Sequence, residues 1–171
     1  MSLEEEERKA LEGLERRFII ALGYKNAGKI DKAEDELRAI LKIEPRLAEP
    51  RMELARVLLD TDRLGDAEVH ARDALKRLED GGQWTDEVPE NVVLALCNAL
   101  LAEILRRHAD EDDVIFGDPA EFKRIVAEAQ QHFSAAAKLD PSDDYASYYA
   151  FFMGVDSDGN DPLATDGIID V

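Results

Sequence analysis

Residues of matching type recur 34 positions apart along the first half of this chain. Ile20 and Ala21 are followed by Leu54 and Ala55, and Ala33, Leu37, Ile40 and Leu41 by Ala67, Ala71, Ala74 and Leu75. A recurrence of this length belongs to a helix-turn-helix unit, and one such unit cannot bury its own apolar face, so copies have to stack. A third copy comes at a shift of 62 from the second, where Ala67, Ala71 and Ala74 meet Ala129, Phe133 and Ala136. An independent marker gives the same spacing: Pro45 closes the first copy and Pro141 the third, 96 residues apart, which is 34 plus 62. The second shift exceeds the first by 28 residues, which have to be carried as insertions around the third copy.

The residue types at the repeated positions supply the physical reason. Small side chains at Ala21, Ala55, Ala67 and Ala74 let the two helices of a pair approach closely, while Leu37, Leu41, Leu54 and Leu75 fill the layers between pairs. Ser2 with Glu5 forms a capping box that opens one long helix over residues 3–26, with a bend expected at Gly13. A second helix runs from Asp31 to about Ile43 and stops before Pro45, where the ring removes a donor and the preceding residue leaves the helical region. Helices over 48–60 and 64–78 follow. Residues 79–90 contain Gly81, Gly82 and Pro89 and read as a loop whose Trp84 is expected to pack on the protein's own helices. A long apolar helix over 91–109 precedes an acidic loop, 110–118, in which Val114, Ile115 and Phe116 are expected to be exposed. A helix over 119–139 and a short aromatic helix over 143–154, which caps the last repeat, complete an all-α domain over residues 1–154.

Composition narrows the partners. The 171 residues are 45% hydrophobic, enough for a continuous core in one domain. With 39 acidic against 21 basic side chains the formal charge is -18, which repels phosphate backbones and anionic lipid and argues against nucleic-acid or membrane binding. Such acidity also fits adaptation to high salt. Cys97, alone and in an apolar run, reads as a core thiol. The charged N-terminus has no secretory pattern, so a cytoplasmic location is expected. His70, His108 and His132 lie in different helices without metal spacing and are expected at surfaces or helix ends. No nucleophile, zinc or phosphate-loop motif is present, so neither an enzyme nor a cofactor is expected. Residues 155–171 read as an acidic, mobile tail. Its Asp156, Asp158, Asn160 and Asp166 alternate as in a calcium loop, yet Asp161 and Gly167 stand where the turn glycine and bidentate glutamate belong. The apolar end of this tail, from Leu163 to Val171, is a third alternative, an internal ligand for a groove.

From Leu14 to Pro141 the chain resembles the tetratricopeptide repeat family. The first copy carries Ala21, Tyr24, Gly28, Ala33 and Pro45 at the family's positions, with Arg17 in place of its tryptophan; the second keeps Ala55, Ala67 and Ala74 but has Asp62 for the turn glycine. The resemblance implies a right-handed solenoid of about three helix pairs, over residues 14–45, 48–78 and 91–141, plus the capping helix. It also implies a scaffold or adaptor that holds a protein or peptide segment in a concave groove lined by the first helix of each pair. Carried over position by position, that groove comprises Phe18, Leu22, Lys25 and Asn26, then Met52, Glu53, Arg56 and Leu59, and from the third copy Ala99, Glu103, Arg106 and Arg107. The family's members that capture the carboxylate tails of heat-shock chaperones need donors where this chain has Phe18, Leu22 and Glu53, which disfavours that ligand. An alternative is a secretion-type chaperone holding an unfolded client, since small acidic members of about three repeats do so.

Overall fold

The computed structural model describes residues 2–153, so the alternatives for residues 155–171, calcium loop, internal ligand or mobile tail, lie outside the described residues. Those described form eight α-helices and no strand. The chain divides into two compact units at Trp84 and Thr85 rather than contacting itself evenly along its length. In the first unit α1 (Leu3–Asn26) packs on α2 (Ile30–Ile43), α2 on α3 (Ala48–Asp60) and α3 on α4 (Leu64–Glu79). In the second, α5 (Glu90–Ala109) pairs with α7 (Pro119–Leu139), and α7 carries both the one-turn α6 (Asp112–Ile115) and the aromatic α8 (Asp144–Phe152).

The 34-residue period is a period of backbone hydrogen bonds. After α1 the N–H of Lys29 reaches Tyr24 O at 2.8 Å and that of Gly28 reaches Lys25 O at 3.0 Å; after α3, Arg63 reaches Leu58 O at 2.9 Å and Asp62 reaches Leu59 O at 3.1 Å. These are two Schellman caps, and each needs a left-handed residue at its centre. Gly28 supplies it at φ +77° and Asp62 at φ +58°. Asp62 thus holds the turn-glycine position and its conformation, at a steric cost glycine does not bear. The second period is equally literal. Glu44 and Asp140, 96 residues apart, leave α2 and α7 with φ,ψ of -136°,91° and -134°,87°. Their side chains accept from the N–H two residues on, in both cases at 3.1 Å. The turn at Pro45 is therefore repeated at Pro141, and α8 leaves α7 as α3 leaves α2.

Burial follows the same register. Ala33, Ala67 and Ala129, with Ile40, Ala74 and Ala136, are all 0% exposed. Cys97 is buried with them. Ile20 departs from its counterpart, being half exposed where Leu54 is buried, because α1 packs chiefly on α2 whereas α3 lies between α2 and α4. The loop over 110–118 contains a helical turn that buries Val114 and leaves Ile115 and Phe116 outside, so only two of its three apolar residues are exposed as expected.

Two polar clamps lock the first unit. Glu34 on α2 accepts from both terminal nitrogens of Arg63, the residue that opens α4, and from Arg38 Nε at 3.0 Å. Donation from Arg63 outweighs burial and, with Arg38, holds the Glu34 carboxyl at about 2. Arg51 on α3 donates to Pro45 O at 2.8 Å, pairs with Asp73 on α4 and sits 3.1 Å from His70 Nδ1. A guanidinium has only donors, so this nitrogen accepts and the ring is neutral; burial and the adjacent Arg51 charge both push the His70 pKa down.

Three outcomes follow for stability. Asp62→Gly should stabilise by about 0.5–1 kcal/mol and Gly28→Ala destabilise by about 1 kcal/mol, read as midpoint shifts at unchanged slope in urea. Opposite signs would mean the caps are not as described. Ala67→Leu should cost about 1–3 kcal/mol by overpacking the α3–α4 crossing, and an unchanged melting temperature would contradict the packing. His70, with its pKa lowered from 6.5, contributes stability that is complete above pH 6.5 and declines as pH falls below it. Glu34, lowered from 4.5 to about 2, contributes stability that is complete above pH 4.5 and is lost on descent toward 2. The two losses should be separately removed by His70→Gln and Glu34→Gln in urea titrations at fixed pH.

Candidate functional site

Helical spacing sets the first-unit surface. Phe18, Leu22 and Lys25 lie at i, i+4 and i+7 on α1, and Glu49, Met52, Glu53 and Arg56 follow the same spacing on α3. The two stripes meet at Glu53, whose Oε2 accepts from Lys25 Nζ at 2.7 Å and lies 3.5 Å from Arg56 Nε. Two cations thereby share one carboxylate. Asn26, one residue past Lys25, is exposed, and Leu22 and Arg56 are half-buried.

Beside this cluster the chain binds a piece of itself. The Trp84 ring lies 5.8 Å from the Phe18 ring, tilted by 50°, and the Trp84 N–H donates to both oxygens of Glu49, at 2.8 and 3.1 Å. Glu49 is only 5% exposed. A buried carboxylate on α3 takes the backbone donor of Trp84 while Phe18 on α1 takes its side chain, so Trp84 packs on the protein's own helices, as expected.

Two expected groove residues are corrected. Met52 and Leu59 are 4% and 5% exposed and belong to the core, not to an open surface. The cause is the position of α3 between two helices, which buries nine of its 13 residues. Truncating Met52 would open a cavity costing about 2–5 kcal/mol, so binding tests have to use other positions.

The second unit repeats the shared carboxylate. Glu103 on α5 receives Arg106 at 3.0 and 2.7 Å, Arg107 at 3.0 Å and the hydroxyl of Tyr145 on α8 at 2.6 Å. Burial raises the Glu103 pKa, but donation from Arg106, Tyr145 and Arg107 exceeds it and the net shift is downward. Burial and the adjacent Glu103 push Tyr145 strongly up. Arg106 also stands 4.9 Å from the centre of the Tyr149 ring and 3.5 Å from Asp110. Ala99, the remaining residue of the third copy, packs against the cluster of Ala102, Phe133, Ala136 and Ala146. Lys25, Arg56, Arg106 and Arg107 are thus neutralised in part by local carboxylates, and each unit holds a mixed cluster of two cations on one anion.

The sequence reading missed Glu49, Tyr145 and the pair Asn98–His132. Asn98, 5% exposed, donates to Leu94 O at 3.0 Å and lies 2.9 Å from His132 Nδ1 through its Oδ1, so His132 braces α5 against α7 rather than standing at a surface. A lone amide inside the apolar run from Val93 to Leu105 was the available signal. Among the described residues no group of three or more His, Cys, Asp or Glu side chains is placed to hold a metal ion, and no helix is long and apolar enough to cross a membrane. No family model matches the chain, and no curated protein matches it.

Trp84 is the sole tryptophan, so its emission reports the strap directly. Glu49→Ala should shift the fluorescence maximum to longer wavelength as Trp84 lifts from Phe18, and Phe18→Ala should do the same. Emission unchanged in both variants would show that Glu49 and Phe18 do not hold it.

Proposed function

We propose that this chain is a tetratricopeptide-type helical-repeat protein, a solenoid of about three helix pairs, that acts as a scaffold or adaptor by binding an extended segment of another protein along the first helices of its pairs. The observation that carries this reading is the Trp84 strap: the surface formed by α1 and α3 accepts an aromatic side chain on Phe18 and a backbone N–H on Glu49. A surface that binds Trp84 of its own chain, by ring and by backbone N–H, has the two elements that recognition of an extended peptide requires, an apolar anchor and a buried acceptor. Leu22, Lys25, Asn26 and Arg56 continue it with mixed apolar and charged side chains. The strap uses only part of the stripe, which leaves the remainder for the partner. The hydrogen-bonded period of 34 residues supports the repeat assignment, and the charge of -18 favours a partner segment without an excess of acidic residues.

The test is affinity capture from native lysate with mass spectrometry, followed by quantitative binding of the captured partner. Leu22→Ala combined with Arg56→Glu should weaken binding at least tenfold, about 1.4 kcal/mol, with helicity retained. Val69→Ser, at a side chain 65% exposed on α4, should leave affinity unchanged. Full affinity in the double variant would place the partner elsewhere. A one-to-one complex with an unfolded client would favour the secretion-chaperone reading instead.

A further inference from the structure

The repeat does not end with α7. Because the turn at Pro141 reproduces the turn at Pro45 in dihedrals and in hydrogen bonds, α8 stands to α7 as α3 stands to α2, and its residues correspond to those of α3 at a separation of 96. Tyr148 then occupies the position of Met52 and Phe151 that of Ala55. In the first unit both positions are buried, at 4% and 0% exposure, and α4 packs against that helix. On α8 the corresponding side chains are 54% and 56% exposed, with Tyr145 beside them at 49%. Two half-exposed aromatics, Tyr148 and Phe151, thus stand at positions that are buried in the helix-covered α3, and Tyr145 stands at the position of Glu49, which Trp84 covers.

Charge selects what would cover it. The sequence of α8, from Asp144 to Phe152, contains no lysine or arginine, and the turn before it carries Asp140 and Asp143. A second copy of this chain would bring another charge of -18 to the same place, and residues 154–171 contain five aspartates and no cation. Both are disfavoured by like-charge repulsion, whereas lysine or arginine would meet the aspartates and the aromatic faces together. Arg106 already lies over the Tyr149 ring, which shows that an aromatic of this helix takes a guanidinium. We propose that the outer face of α8, with Tyr145, Tyr148 and Phe151, docks a cationic amphipathic helix of a partner protein in the place that α4 takes beside α3. Phe151 in place of Ala55 requires the incoming helix to present small residues opposite the ring. The proposal uses none of the residues of the strap.

A fluorescein-labelled 16-residue amphipathic helix of lysine, leucine and alanine, with alanines along the middle of its apolar face, and a counterpart with glutamate for lysine, provide the probes for anisotropy titrations against the full chain. The lysine peptide should bind and the glutamate peptide should not. Tyr148→Ser with Phe151→Ser, and separately Asp144→Lys, should each weaken binding at least fivefold while circular dichroism stays helical. Asp144→Lys retains every aromatic, so it remains informative if the serine variant loses α8. Undiminished binding in both variants would show that the peptide senses only the overall acidity and would overturn the assignment. So would self-association of the free chain that the serine variant abolishes, which would give the face to a second copy, or tighter peptide binding by a chain ending at Met153, which would give it to residues 154–171.

Discussion

Close approach of helix backbones over alanine is the constraint from which the rest of the structure follows. At Ala33, Ala55, Ala67, Ala129 and Ala136 the side chain is 0% exposed, so each marks a place where a neighbouring helix leaves no room for more than a methyl group. Such a crossing is useful only if the chain returns at the correct height, and the Schellman caps after α1 and α3 fix that return by closing the helix within one left-handed residue. The turns at Pro45 and Pro141 then set the start of the following helix by a different device, an extended residue whose carboxylate accepts from the chain two residues later. Alanine spacing, left-handed cap and prolyl turn are three parts of one geometric requirement.

This explains how much of the fold was legible in the sequence. The bounds of α1, α3 and α7 follow directly from Ser2, Asp62 and Pro119 with their flanking apolar periods, because each rests on an interaction local in sequence. The turn-glycine position was recognisable at Asp62 even though the residue differs, since the backbone conformation is specified by the hydrogen bonds around it. The candidate site was less legible. Met52 stands 34 residues after Phe18, at the same position of the repeat, yet one is core and the other half-buried, and the difference lies in whether a helix covers that side. Neighbouring helices are set by long-range packing, and a repeat register alone does not distinguish an inner helix from the first. Glu49 illustrates the complementary failure: a glutamate between Ala48 and Pro50 reads as a solvated first-turn acid, and only the return of Trp84 from 35 residues away gives it a buried role.

Electrostatics shows the same separation between local pattern and assembled structure. Lys25 and Arg56 in the first unit and Arg106 and Arg107 in the second are cations in a chain of charge -18, and the structure brings to each a carboxylate from its own helix or from another of the same unit. Glu53 and Glu103 each hold two cations because a half-buried carboxylate without such donors would be costly, and its neutralisation in turn leaves the cations oriented rather than freely solvated. What results is a surface of fixed dipoles and aromatic faces instead of net positive charge. Contacts at these clusters depend on the geometry of individual donors and rings, as at Trp84 on Phe18 and at Arg106 on Tyr149, and not on an excess of positive charge.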